Sequence, residues 1–162
     1  MSKQPPRSPS SSEKSSPTAM RTVEDRMGDS SLKSAQAQLA AEFTERLDLL
    51  EESGQVTNLA RRLTLMCLTD LTTTLDLALT EDNAAQFVTH LAIALTRINR
   101  GDPEIAMSAV AAEEIADRTR EHDAVTAVMR DASRLLQRDV PESEITYMTV
   151  HLCGLVDDEA AS

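Results

Sequence analysis

The chain has 162 residues, enough for one domain with tails, and 41% of them are hydrophobic while only 2% are aromatic. With 27 acidic residues against 16 Lys and Arg, the formal charge is −11, which offers phosphate backbones no electrostatic footprint and argues against direct nucleic acid binding. No apolar run approaches the ~20 residues of a membrane span and the N-terminus lacks the apolar stretch of a secretory signal, so a cytoplasmic chain with no membrane partner is expected.

Residues 1–31 are rich in Ser, Pro and charge, with too little apolar surface to offset the entropy of ordering, and a disordered tail is predicted there. Residues 32–162 are predicted to form one all-α domain, since breakers are sparse and the apolar volume comes from Leu, Ala, Ile, Val and Met. The first helix runs from Leu32 to Ser53, with Leu39, Phe43, Leu47 and Leu50 on one face and Ser53-Gly54 as the stop. A second helix, about Val56 to Leu79, carries Leu59, Leu63, Met66, Cys67, Leu71, Leu75 and Leu79. Its threonines, among them Thr64, Thr69 and Thr72 to Thr74, are assigned to the opposite face, with a kink or break near Thr72–Thr74.

Thr80 to Asn83 is a turn with several N-cap candidates, and it opens a third helix, about Asn83 to Arg100. Phe87, Leu91, Ala94, Leu95 and Ile98 form its apolar stripe, His90 borders that stripe, and Gly101 is the terminator. Asp102-Pro103-Glu104 reads as the next helix start, continuing through Ile105, Met107, Val110 and Ile115. Asp117 to Asp123 is charged and reads as a turn or an exposed face. Val125, Val128, Met129, Ala132, Leu135 and Leu136 make the next stripe. The last helix opens at Val140-Pro141-Glu142 and passes Ile145, Met148, His151, Leu152 and Leu155, leaving Asp157 to Ser162 as a polar tail.

Few residues could carry chemistry. There is no phosphate-cradling glycine loop, nucleophile elbow, metalloprotease His pair or zinc-spaced cysteine pair, and no cofactor is expected. Cys67 and Cys153 lie in apolar helical patterns and read as small buried hydrophobes. Glu113-Glu114 reads as a surface pair, and His122 sits in the charged run as an exposed residue. His90 and His151 stand apart, each the polar member of an apolar stripe. They could be core-edge histidines satisfied by neighbours, reactive nitrogens, or, if they converge with nearby carboxylates, the ligands of a small metal-binding or enzymatic helical protein.

The run Phe87-Val88-Thr89-His90-Leu91 through Arg97-Ile98-Asn99-Arg100-Gly101 resembles the first histidine motif of the PTS regulation domain (PRD) family. Val140-Pro141-Glu142-Ser143-Glu144-Ile145-Thr146-Tyr147, leading to His151-Leu152, resembles the second, and Glu113-Glu114-Ile115 fits between them. The resemblance spans roughly Leu39 to Val156, one PRD, and has Thr89 where the family commonly has Asp or Asn. It implies a compact bundle of about five helices and a regulatory module that is not an enzyme. By motif position His90 and His151 would accept phosphoryl groups from the phosphocarrier HPr or a sugar-specific IIB component of the bacterial phosphotransferase system. A homodimer and an output in carbohydrate-linked transcription follow from the same resemblance. With no nucleic-acid-binding module evident in residues 1–31, the chain resembles a free-standing single PRD, the alternative being a PRD-like dimerisation or binding protein that is not phosphorylated. Arg97, two helical turns beyond His90, is a candidate to pair with the phosphoryl charge or to serve a structural salt bridge.

Overall fold

A computed structural model describes residues 2–6 and 23–161. The described residues contain six helices and no strand: α1 (Val23–Glu52), α2 (Asn58–Leu75), α3 (Glu81–Arg100), α4 (Ala109–Glu114), α5 (Thr119–Leu136) and α6 (Glu142–Ala161). Each of α2, α3, α6 and α5 packs on the next in that order, and α5 returns to α2, so the four close a ring; α1 lies against α2 and α3, and α4 rests on α6. The all-α bundle expected from composition is therefore present, with the short α4 added to five long helices.

The core fills the ring from every wall. Phe43 and Leu47 of α1, Leu68 and Leu71 of α2, Leu91 and Leu95 of α3, Met129 of α5 and Leu152 of α6 are all almost completely buried. A fully buried side chain of this kind contributes about 1.5–3 kcal/mol relative to exposure. Leucine supplies most of these side chains, with Phe43 the one aromatic among them.

Local chemistry sets the ends of the helices that matter most. Thr80 caps α3, its hydroxyl accepting from the Asn83 amide at 3.3 Å while the Asn83 side chain accepts from the Thr80 amide at 2.8 Å, a reciprocal capping box. Glu81 and Asp82 occupy the first turn and Arg97 and Arg100 the last, as the helix dipole favours. Gly101 ends α3 at φ 71°, and its amide and that of Asp102 close onto the carbonyls of Ile98 and Arg97. A Cβ there would be strained by that φ and would also meet the Arg138 guanidinium at 2.8 Å.

Several boundaries differ from those read in the sequence. Of the predicted tail, residue 1 and residues 7–22 lie outside the described residues, and α1 begins at Val23, ahead of Leu32. Its added turns include an Asp29–Lys33 pair four residues apart. Helix α2 ends at Leu75, just past the threonine cluster, on Asp76 in the left-handed conformation at φ 54°. Thr64 and Thr69 are buried, not on a solvent face: each hydroxyl donates to the carbonyl four residues back, which lets a threonine enter the core with its polar atom satisfied.

The segment after Gly101 has no regular secondary structure to residue 107, and the helix starts only where Ser108 caps it by accepting from Ala111. Met107 and Val110 remain exposed, so a helix starting at Pro103 would have had no apolar face to bury. Asp117–Asp123 contains the start of α5, and its Glu121 is buried against Arg118. Helix α6 runs on through Asp157, which also pairs with Arg118.

Candidate functional site

Helices α3 and α6 are neighbours, and each carries one histidine and one charged residue seven positions apart: His90 and Arg97 on α3, Glu144 and His151 on α6. Seven residues are two turns, so each pair lies on one face of its helix, about 10 Å apart along the axis. The partners match in antiparallel order. His90 meets His151, and Arg97 meets Glu144, forming two polar rungs across one helix seam.

The first rung is a stack. The imidazole centroids of His90 and His151 are 4.3 Å apart and the planes are inclined by 13°. Both residues are half-buried. Burial, and then the charge His90 would carry, hold the His151 pKa below the usual histidine value, so that ring favours its neutral form. The amide nitrogen of Gln86 lies 3.4 Å from Nε2 of His90, where it donates whenever that nitrogen carries the lone pair.

The second rung is an ion pair. Arg97 Nη2 and Nε donate to one oxygen of Glu144, Oε1, at 2.7 and 3.3 Å. The Arg97 side chain is 35% exposed and that of Glu144 only 4%. Glu144 stands in the first turn of α6, where the helix dipole favours a negative charge, and its second oxygen, Oε2, is buried without a hydrogen-bond partner among the described residues. Its charge is held by Arg97 on one side and the helix terminus on the other.

The two rungs border a single open cleft of about 420 Å³. Ile105 and Ala106 of the segment between α3 and α4 and Tyr147 and Met148 of α6 complete its walls. Tyr147 donates its hydroxyl to the Ala106 carbonyl at 3.1 Å, fastening the linker to α6 beside the histidines. The cleft is far larger than the roughly 30 Å³ share of a water molecule, so a substituent on either imidazole has room to project into it.

The sequence candidates divide accordingly. His90, His151 and Arg97 are brought together, with Arg97 engaged by Glu144. His122 lies on α5 and is half-buried, not exposed, and it does not line the cleft. Glu113 and Glu114 are exposed on α4. Cys67 and Cys153 are buried and free, and burial pushes the Cys67 thiol up to about 12. Thr89 turns away from the stack: its hydroxyl donates to the Ala85 carbonyl at 2.9 Å and accepts from Arg46 at 3.1 Å, and Arg46 in turn pairs with Glu81. Glu144 and Tyr147 stand in the second motif but were given no role of their own, and Gln86 was not singled out in the sequence. The equal seven-residue spacing of His90–Arg97 and Glu144–His151 was the available signal for Glu144.

Among the described residues no group of three or more His, Cys, Asp and Glu side chains is placed to hold a metal ion, and no helix is long and apolar enough to cross a membrane. A family model described as PRD domain matches residues 66–155, which include both histidines, Arg97 and Glu144. No curated protein and no solved structure matched the chain.

Proposed function

From the premise that the chain belongs to the PRD family, regulatory domains of the phosphotransferase-system type, we propose that it receives a phosphoryl group on the His90–His151 pair and passes that information to a partner. The stack carries this reading: two half-buried imidazoles on one open cleft, with a guanidinium two turns away. A neutral imidazole nitrogen is a nucleophile at cellular pH, and the depressed pKa of His151 keeps one available. The donor is a phosphohistidine of HPr or a phosphorylated IIB component.

The group that arrives carries nearly two negative charges. Arg97 lines the same cleft, and it is paired with Glu144. When Arg97 turns to the phosphoryl group, Glu144 is left buried beside a new anion, a costly arrangement that is relieved by loosening the α3–α6 seam. The Tyr147 tether to Ala106 loosens with it. The output is a change in self-association as a homodimer, or in the grip on a partner of carbohydrate-linked transcription.

Intact-mass spectrometry after incubation with phosphoenolpyruvate, enzyme I and HPr, with a IIB component in a second arm, tests this. Acid-labile phosphate on wild type, lost in the His90→Ala/His151→Ala double variant, is the expected result. No label in either arm would sink the proposal. One observation favours a second reading, a PRD-like dimerisation or binding protein that is not phosphorylated. Thr89 is bonded to Ala85 and Arg46 and does not orient His90 as a carboxylate or amide could.

A further inference from the structure

We infer that the phosphodonor protein docks beside the cleft, on the segment between α3 and α4, the outer face of α4 and the α6 surface at Gly154. The partner this surface fits is an apolar patch bordered by cations. The inference rests on the proposed phosphoryl transfer and concerns how the donor is recognised. A donor protein has to bring its phosphorylated side chain to the cleft, and a standard interface covers about 800 Å² on each partner. Such a footprint extends past a cleft of about 420 Å³, so the surface beside Ile105, Ala106 and Tyr147 falls within it.

That surface carries uncovered apolar side chains. Met107, next to Ala106, is 47% exposed, and Val110, in the first turn of α4, is 66% exposed. Among the described residues six large apolar side chains are exposed, and the other four lie away from the cleft on α1, α2 and α5. Charge then names the partner's chemistry. Residues 101–117 hold five carboxylates, Asp102, Glu104, Glu113, Glu114 and Asp117, and no Lys or Arg. All five are exposed, and none forms an ion pair among the described residues. Glu113 and Glu114 stand three and four residues after Val110 and so share its face of α4. An apolar pair bordered by unpaired carboxylates is complementary to an apolar contact bordered by Lys or Arg. A second copy of the chain is a poorer occupant, because two such surfaces would set carboxylates against carboxylates.

Helix α6 adds an independent sign of close approach. Gly154 stands three residues after His151 and seven after Tyr147, on their face of the helix, and it is exposed. Glycine weakens a helix interior relative to alanine. A Cβ at 154 would meet nothing within 4 Å, so the fold itself makes no demand for glycine there. Bare backbone one turn from the histidine lets a second protein come near it. The parts adjoin, since Tyr147 bonds Ala106 and α4 packs on α6. On this surface the bond from phosphorus to the donor side chain breaks as a ring nitrogen of His90 or His151 takes the phosphoryl group. The donor side chain leaves with the electron pair and takes up, through solvent, the proton that the acceptor ring gives up.

The test compares a protein donor with a small one on the full chain. HPr or a IIB component, phosphorylated from phosphoenolpyruvate and enzyme I, needs the docking surface, whereas potassium phosphoramidate does not. Initial labelling rates are read by intact mass for wild type, Met107→Ser/Val110→Ser, Glu113→Lys/Glu114→Lys and Gly154→Gln, each checked for an unchanged fold by circular dichroism. Each variant is expected to lose about tenfold in rate with the protein donor and to keep the wild-type rate with phosphoramidate. The wild-type rate with the protein donor should fall as salt is raised, and fall less in Glu113→Lys/Glu114→Lys. Variants that keep the wild-type rate with the protein donor would overturn the docking surface. So would variants slowed equally with both donors, or a dimer that the same substitutions split into monomers in sedimentation. A rate unmoved by salt would overturn the cationic partner. Label from phosphoramidate with none from either protein donor would overturn the docking surface and leave the histidines as acceptors. No label on wild type from any donor would overturn the docking surface and the phosphoryl transfer together.

Discussion

Between α2 and α5 the ring is held by aliphatic surface, whereas between α3 and α6 it is held partly by groups that can change charge or partner. The first seam adjoins Cys67, Leu68 and Leu71 on one side and Val125, Val128 and Met129 on the other, all nearly inaccessible, with the Cys67 thiol donating to the Val128 carbonyl at 3.8 Å. The second also buries Leu91, Leu95, Met148 and Leu152, but across it lie the stacked imidazoles and the Arg97–Glu144 pair. Apolar contact has no competing ligand in water. An imidazole pair responds to protons, and a guanidinium shared with one carboxylate responds to any stronger anion. The bundle is therefore fixed along one seam and adjustable along the other.

The comparison is tested most severely by truncation in the apolar seam. Met129→Ala should lower stability by about 3 kcal/mol, through lost transfer energy and the cavity left behind, as read from urea melts. It should leave the pH dependence of stability unchanged in shape. Should the pH profile change instead, the two seams are coupled and the division fails.

Next in size is the second rung. Arg97→Met strands Glu144, and a loss of about 2 kcal/mol is expected, below the 3–5 kcal/mol of a fully buried pair because Arg97 is partly exposed. The Arg97→Met/Glu144→Leu double variant should regain most of that loss in a double-mutant cycle. Additive losses would mean that the rung is not an interacting pair.

The first rung predicts a milder, pH-dependent effect. The His151 pKa is lowered in the folded chain by burial and by His90, so the unfolded chain binds that proton more readily. Stability should be full above the unfolded value of about 6.5 and fall as pH drops through it toward the folded value. The loss is small, and His151→Gln should flatten it in melts between pH 8 and pH 5. A profile that kept its slope in that variant would place the titration elsewhere.

The smallest effect lies at the edge of the apolar seam. Burial, and then Asp131, raise the Asp70 carboxyl above the usual range, so its charge is disfavoured at neutral pH in the folded chain. Asp70→Asn should raise the urea midpoint slightly at pH 7 and should have no such benefit at a pH low enough to protonate Asp70 in both states.

Much of the architecture was legible because the signals were local. The stripe of Phe87, Leu91, Ala94, Leu95 and Ile98, the acidic first turn and Gly101 jointly define α3 before any packing is known. His90 and His151 were each legible as the polar member of an apolar stripe and their phosphoacceptor role came from the resemblance, but their contact was not legible, since neither residue's surroundings reveal the other from 61 positions away (151 − 90). Start signals misled where no apolar face backed them, as at Pro103, where Met107 and Val110 had nothing to pack on. Thr64 was misassigned for the opposite reason: a hydroxyl that bonds its own helix can be buried as readily as an aliphatic group. Glu144 stood in the second motif without a role, because a carboxylate among carboxylates looks solvated and only the return of α6 onto α3 supplies its cation.

Helix α1 has a consequence on the time axis. Its 30 residues span about 45 Å, yet Leu39 is the first of its described side chains to be buried, and those from Gly28 to Gln38 are mostly exposed. Helical turns with so little tertiary contact open and close on their own. In deuterium exchange the amides ahead of Leu39 should label through local fraying, in seconds to minutes, while those around Phe43 and Leu47 should wait for the whole ring to open. One continuous helix would thus report two clocks, a fast one set by helix–coil equilibrium and a slow one set by the stability of the fold.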